Sequence, residues 1–273
     1  MPRAMMRALA AWLGRVYHLL HAPYRRVVAA NLAKVFPGEP EKVRALTRQT
    51  FLQFARSLAD YCALGNLDPA YLQNLFEQLR GAEHLTQALK HGRGVILVTA
   101  HLGNWELGGL FFALKGYKIN AVTLEEHMDQ LTVMREQYRS VHGIRTIRIG
   151  SSPFSFIDVM AALRRNEIVA MLVERPYASA SVEVEFFGKP TPFSNGPVML
   201  ALGTGAVILP GFVYSNRDEK YCGEIREAIP LDSFEDHPTA VRHNTQKIAR
   251  VFESVIREHP DQWYNFVPLW RGQ

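Results

Sequence analysis

Cysteine is nearly missing from this chain of 273 residues: Cys62 and Cys222 are the two, far apart and in no paired spacing. That removes a Cys-x-x-Cys redox centre, a structural zinc site and a disulfide framework, and it fits a reducing compartment. There is no apolar run near the ~20 residues that span a bilayer. Internal repeats and low-complexity stretches are also missing. No Gly-x-Ser-x-Gly elbow occurs, so nucleophilic Ser or Cys catalysis lacks its usual turn. His-Glu-x-x-His is absent, and no metal is expected. Without a ribonucleoprotein aromatic motif, a zinc finger or a basic-region helix, nucleic acid is set aside as a partner.

What remains is the composition of a folded domain with a large core, 48% hydrophobic and 21% charged. The net charge is +5, and the 31 basic residues are scattered rather than blocked. Such a balance suits a membrane surface or an anionic substrate.

The amino-terminal third reads as helices at 4–34, 40–63 and 69–79, broken at Pro37-Gly38, with no clear strand. From residue 82 helices and strands alternate. Helices are expected at 82–91, 105–115, 128–141, 153–165, 195–203 and 238–258. Strands are expected at 94–100, 118–123, 144–149, 168–173, 182–187 and 206–214, with an edge strand within 220–229. Alternation of this kind predicts an α/β fold: a mixed, mostly parallel sheet flanked by helices, with an N-terminal helical segment. The expected division is a helical, membrane-facing segment 1–80 and a core 81–273.

The first helix carries Met5, Met6, Leu9, Trp12, Leu13, Val16 and Leu20 at i, i+3, i+4 steps. This is the stripe of a helix lying in the headgroup plane or packed on a core. For the first case, the stripe is expected to enter an anionic membrane surface while Arg3, Arg7 and Arg15 stay with the headgroups.

The segment Gly94–Gly109 carries the chemistry. Val95, Ile96, Leu97 and Val98 form a buried strand, and His101 follows it. Asn104 is placed to cap a helix whose apolar positions are Leu107, Leu110, Phe111 and Leu114. His101 and Glu106, five apart, would meet if His101 lies in the turn and Glu106 in the first helical turn. An imidazole and a carboxylate would then sit at the carboxyl end of a strand, where open α/β sheets bind ligands. The chemistry that fits is proton abstraction from a hydroxyl, with the carboxylate fixing the tautomer. His-x-x-x-x-Glu also arises by chance, so the spacing alone leaves a structural histidine open.

Six motifs in order extend the reading: Arg26 with Asn31-Leu32 and Phe36-Pro37; Ala100-His101-Leu102-Gly103-Asn104-Trp105-Glu106; Arg139 four residues before Gly143; Phe186-Phe187-Gly188-Lys189-Pro190-Thr191 with Gly196-Pro197; Leu202-Gly203-Thr204-Gly205-Ala206 into Leu209-Pro210-Gly211-Phe212; and His259-Pro260-Asp261-Gln262-Trp263-Tyr264. From Arg26 to Trp270 the chain resembles the lysophospholipid acyltransferase superfamily, and more closely the lauroyl and myristoyl transferases of lipid A biosynthesis. The resemblance implies a glycerolipid acyltransferase-like fold. It also implies transfer of a fatty acyl group from an acyl-carrier-protein or coenzyme A thioester to a hydroxyl of a lipid or glycolipid, at the cytoplasmic face of the bacterial inner membrane. His101 would be the general base and Glu106 its partner, with backbone donors near residues 102–106 for the oxyanion and no metal or redox cofactor. Asn104, Arg139, Glu174, Arg175 and Gly188 would bind substrate, Asn104 serving first as the cap.

Two departures matter: the amphipathic helix at the amino terminus is shorter and more interrupted than the apolar segment of most members, so binding on the membrane surface is expected rather than spanning, and the second lies after the strand that ends at Val173. Glu174-Arg175-Pro176 stands where many members carry Asp-Gln, and the family's Asp is a candidate third acid near the histidine. Glu174 is one methylene longer, which leaves its role open. Arg175 offers a fork suited to phosphate. The second departure keeps other acceptors open: a lysophospholipid, an ornithine lipid or a mannosylated inositol lipid. A non-catalytic lipid-binding relative is the remaining alternative.

Overall fold

The computed structural model describes residues 2–62, 69–124, 130–150, 154–175 and 180–270. Residues 63, 128, 129 and 153, at the ends of expected helices, and Pro176 lie outside them. A seven-stranded sheet has the order β1 (Phe76–Arg80), β9 (Tyr221–Ile225), β8 (Val207–Ser215), β2 (Val95–Thr99), β5 (Ile168–Leu172), β3 (Ile119–Leu124) and β4 (Arg145–Ile149). Only β8 and β9 pair antiparallel. Hence the sheet is mixed and mostly parallel, with helices on both faces, as the alternation predicts.

Strand β2 explains the two layers. Ile96 and Val98 face one hydrophobic cluster and Val95 the other, and all three are fully buried. The first cluster is closed by α8 (Ser155–Arg164), α9 (Gly196–Thr204) and α10 (His237–Glu258), through residues such as Val159, Val198 and Ile248. The second is closed by α5 (Ala82–Lys90) and α6 (Trp105–Leu114), through Leu85, Leu107 and Leu110. A strand buried on both faces has no polar alternation, which is why β2 reads as a continuous apolar run. The remaining helices are α1 (Arg3–Leu20), α2 (Ala22–Val35), α3 (Pro40–Cys62), α4 (Pro69–Leu75) and α7 (Gln130–Val141).

Three expectations are corrected. The first helix does not run through 4–34; it breaks at His21, because Pro23 starts α2 and cannot donate to the preceding turn. The helix expected at 69–79 stops at Leu75, and Phe76–Arg80 joins the sheet edge as β1. A hairpin of β6 (Ser181–Phe186) and β7 (Lys189–Ser194) adds a strand that two prolines conceal. Pro190 pairs with Glu185, whose N–H donates to Gln246 Oε1 of α10 instead of across the hairpin. Pro190 therefore occupies a position where no ladder donor is needed.

Helix α1 lies on α3 through Ala11 and Gly14. A Cβ at Gly14 would stand 2.8 Å from the Phe51 carbonyl oxygen, so the contact needs glycine. The apolar stripe does not face α3. Met5, Leu9, Trp12, Leu13 and Leu20 are exposed, and Phe54 and Leu58 of α3 are exposed apolar residues too. The arginines reverse the expectation. Arg3 and Arg7 turn inward onto Asp60 of α3, and of the three named arginines only Arg15 is exposed. A carboxylate that is 2% exposed needs counter-charge, and these guanidinium groups supply it. Among the described residues no helix is long and apolar enough to cross a membrane.

Candidate active site

Two adjacent parallel strands build the site. Strands β2 and β5 run in register, with Thr99 beside Leu172. His101 lies two residues beyond the first and Glu174 two residues beyond the second, so both leave the sheet at the same level. Glu174 Oε1 accepts from the His101 backbone N–H at 2.6 Å and lies 2.8 Å from Nδ1. The carboxylate is fully buried, and Oε2 has no partner among the described residues. Burial pushes the Glu174 carboxyl up, but the imidazole, its hydrogen bonds and Arg175 outweigh that and hold it below the usual range. An ionised carboxylate takes Nδ1–H and leaves Nε2 with its lone pair, and Nε2 has no hydrogen bond among the described residues.

Glu106 does not supply this contact. It sits in the first turn of α6, as expected, but its carboxylate is held by Arg139 of α7: Nε donates to Oε2 at 3.0 Å and a terminal nitrogen to Oε1 at 2.5 Å. Arg135 approaches Oε1 at 3.7 Å. The expected His101–Glu106 partnership thus becomes two pairs, His101–Glu174 and Glu106–Arg139. Five residues of turn and helix carry Glu106 past the imidazole, while α7 brings a buried cation to it.

The turn between β2 and α6 is fixed from the carboxyl end of the chain. Tyr264 N–H donates to the His101 carbonyl at 2.7 Å, and Gly103 N–H to the Gln262 carbonyl at 2.8 Å. Gln262 also exchanges two hydrogen bonds of 2.8 Å with the Ser215 backbone. Leu102 N–H turns onto Ala100 O and Asn104 N–H onto Val213 O. Of the donors expected for an oxyanion, Leu102, Gly103 and Asn104 are therefore spent on the fold. Trp105 and Glu106 N–H have no acceptor among the described residues, and they lie in the first turn of a helix, where the dipole favours negative charge.

Gly103 makes the tightest approach. Its φ is +63°, and a Cβ would stand 1.8 Å from the Val213 oxygen. Gly103→Ala should cost at least about 2–3 kcal/mol by displacing β8 or the turn. Thermal or urea unfolding checks this, and an unchanged midpoint would overturn it.

The other expected residues divide. Asn104 caps α6 through Leu107 N–H at 3.3 Å, and its amide donates to Ser57 O at 3.1 Å and to the Tyr221 hydroxyl at 3.3 Å. Its hydrogen bonds are internal. Arg175 donates to Asn265 Oδ1 at 3.2 Å and to Tyr264 O at 2.9 Å, which ties it to the same carboxyl-end segment. Gly188 forms the turn of the β6–β7 hairpin, and no described contact joins it to His101. Phe186 and Phe193 are fully buried in the core. Sequence reasoning missed Ser57 of α3 and Tyr221 of β9, which bond Asn104 in the turn, and Asp60 of α3, which bonds Tyr221 behind it. Only their tertiary neighbours distinguish them from ordinary core polar residues.

Between α6 and the sheet lies an apolar cleft of about 80 Å³. Trp105, whose ring meets His101 edge-on at 5.3 Å, lines it with Glu106 and Arg139 at the polar end. Small residues, Gly108, Gly109, Ala121, Ala170 and Gly211, leave the space open.

The comparisons bear on the family. Phosphatidylinositol mannoside acyltransferase of Mycobacterium tuberculosis is 29% identical over 191 residues, 70% of this chain and 58% of that protein. The chain thus spans less than two thirds of that relative. The protein of the same name from Mycolicibacterium smegmatis is 27% identical over 242 residues, 88% of this chain and 77% of the relative. A lipid A biosynthesis acyltransferase of Haemophilus influenzae is 25% identical over 272 residues, 96% and 79% of the two chains. The family model for bacterial lipid A biosynthesis acyltransferases matches residues 1–272, and the chain belongs to that family.

Proposed function

We propose that the protein transfers a fatty acyl group from an acyl-carrier-protein or coenzyme A thioester to a hydroxyl of a glycolipid. The observation that carries this is the His101–Glu174 pair, an imidazole with Nε2 unspent whose ring meets Trp105, a residue that lines an apolar cleft. His101 Nε2 takes the acceptor hydroxyl proton while that oxygen attacks the thioester carbonyl carbon. Glu174 stabilises the imidazolium that forms. The Trp105 and Glu106 N–H groups, at the start of α6, stabilise the tetrahedral oxyanion. Collapse breaks the carbon–sulfur bond, and the leaving thiolate recovers the proton from Nε2. The acyl chain occupies the cleft beside Trp105, and the Arg139–Glu106 pair closes its polar end. Glu106 and Arg139 serve the site as a fixed ion pair, and Arg175 anchors the segment that clamps the turn.

The two names that the three relatives carry point to a lipid A precursor or a mannosylated inositol lipid as the acceptor. The higher identity to the phosphatidylinositol mannoside enzymes favours the second. The test is thiol release from acyl-coenzyme A and acyl-carrier-protein by the purified protein, with each glycolipid in turn. Release that depends on one acceptor, with an acyl mass added to it, is expected. No transfer to either class would overturn the reading.

The outer face of α1 would hold the protein on the cytoplasmic leaflet of the inner membrane, where such acceptors reside. Its stripe is exposed and contains a tryptophan. Because Arg3 and Arg7 face inward, the attachment is mainly apolar. The double variant Leu9→Asp/Trp12→Asp should weaken co-sedimentation with anionic vesicles by at least about tenfold, since each apolar side chain removed from water contributes ~1.5–3 kcal/mol. Raising salt should have the smaller effect. Binding that survives the substitutions but collapses in salt would reverse this assignment.

A further inference from the structure

A buried polar chain runs from α1 to the first turn of α6. Arg3 grips Asp60 with two bonds of 2.9 Å, and Arg7 bonds the same carboxylate from the next turn of the helix. Tyr221, fully buried on β9, donates its hydroxyl to Asp60 Oδ2 at 2.7 Å and accepts from the Asn104 amide at 3.3 Å. Asn104 then caps α6 through Leu107 N–H. The polarity is consistent along the chain: amide to hydroxyl, hydroxyl to carboxylate, guanidinium to carboxylate. Burial, first, and the neighbouring Asp60 push the Tyr221 hydroxyl up to about 12, so it remains the donor across the physiological range.

The Arg3 and Arg7 bonds to Asp60 set which side of α1 is covered, but stability alone does not call for charged groups there. A buried guanidinium–carboxylate pair such as Arg7–Asp60, with Arg3 partly exposed beside it, is often matched or surpassed in stability by apolar packing of similar volume. What such a network supplies is direction. It ends on the residue that fixes where the first turn of α6 points, and that turn carries the Trp105 and Glu106 N–H groups.

We propose that Tyr221 and Asp60 are positioning residues for acyl transfer, bracing the oxyanion-facing turn of α6 against helix α1. This rests on the proposed role of that turn. The brace acts through Asn104 and leaves the His101–Glu174 pair untouched. It therefore affects the rate of the bound complex rather than thioester binding or the ionisation that sets the pH profile.

The test is steady-state kinetics of Tyr221→Phe, which removes one hydroxyl and leaves Arg3 and Arg7 on Asp60. Expected are a kcat about tenfold lower, as a sub-ångström displacement of a catalytic group would give, a KM for the thioester within twofold, and an acid limb of the pH–rate profile where wild type has it. Asp60→Asn, if it folds, should lower kcat similarly, and the double variant should equal the larger single effect rather than their product. An unchanged kcat in Tyr221→Phe would overturn the proposal. So would a loss that appears in KM, a shifted pH limb, a loss that disappears when rates are scaled to the folded fraction, or multiplicative effects. Failure of His101 as base would show instead as near-normal turnover in a His101 variant, which leaves the Tyr221 comparison readable.

Discussion

Replacing His101 with alanine should lower acyl transfer by ~10²–10⁴-fold without loss of fold, the range that general-base catalysis contributes. The structural cost is modest because the side chain makes one hydrogen bond, Nδ1 to Glu174, and one ring contact, with Trp105, and Glu174 keeps the His101 backbone N–H. The bonds that pin the turn are made by the His101 backbone, its N–H to Glu174 and its carbonyl from Tyr264, and alanine keeps both. The imidazole is also partly exposed, so its removal opens no sealed cavity. Turnover per folded molecule and the unfolding midpoint should be measured together. Near-wild-type turnover with an unchanged midpoint would remove His101 from the mechanism.

The sequence discloses the strands and helices that carry the site better than it discloses their partners. Val95 to Val98 announce a buried strand, and Asn104 announces the helix start, because local periodicity and capping specify both. Trp263 and Tyr264, which end the last of the six motifs, are both buried. Pairing across the sheet is another matter. That β5 lies beside β2, in register, is decided by the whole packing of the sheet, so no local pattern says that Glu174 faces His101. The only signal for it is the family's acid at that position. Glu106 misleads for the same reason. Spacing of five fits a turn-to-helix meeting, yet Arg139 arrives from 33 residues away and claims the carboxylate. The amphipathic first helix shows the limit most clearly. Periodicity finds the apolar stripe but not which side of the helix is covered. Asp60 decides that side by drawing Arg3 and Arg7 inward, and its burial depends on a helix that starts at Pro40.

Exchanging the two carboxylates for amides in separate proteins should divide chemistry from scaffold. Glu174→Gln keeps the shape and an acceptor for the His101 N–H, but it removes the charge that stabilises an imidazolium and fixes Nδ1–H. Transfer should fall by ~10²–10⁴-fold, as for loss of the buried acid behind a catalytic histidine. The new amide nitrogen would occupy the place of Oε2, which has no partner, so stability should fall modestly, by ~1–3 kcal/mol. Its pH dependence gives a second readout. The folded carboxyl is held below its ordinary value of 4.5, so the wild type gains stability above that value and loses it as pH falls through the lower, folded one. In Glu174→Gln that part of the acid dependence should vanish. Glu106→Gln should behave in the opposite sense. It strands Arg139, 8% exposed, without its counter-charge, so stability should drop by on the order of 3 kcal/mol. The residual folded enzyme should keep more activity than Glu174→Gln does. The reverse ranking, with Glu106→Gln stable but inactive and Glu174→Gln active, would return the carboxylate role to Glu106. In that event the imidazole would have to turn away from Glu174 during the reaction, breaking the 2.8 Å contact seen here.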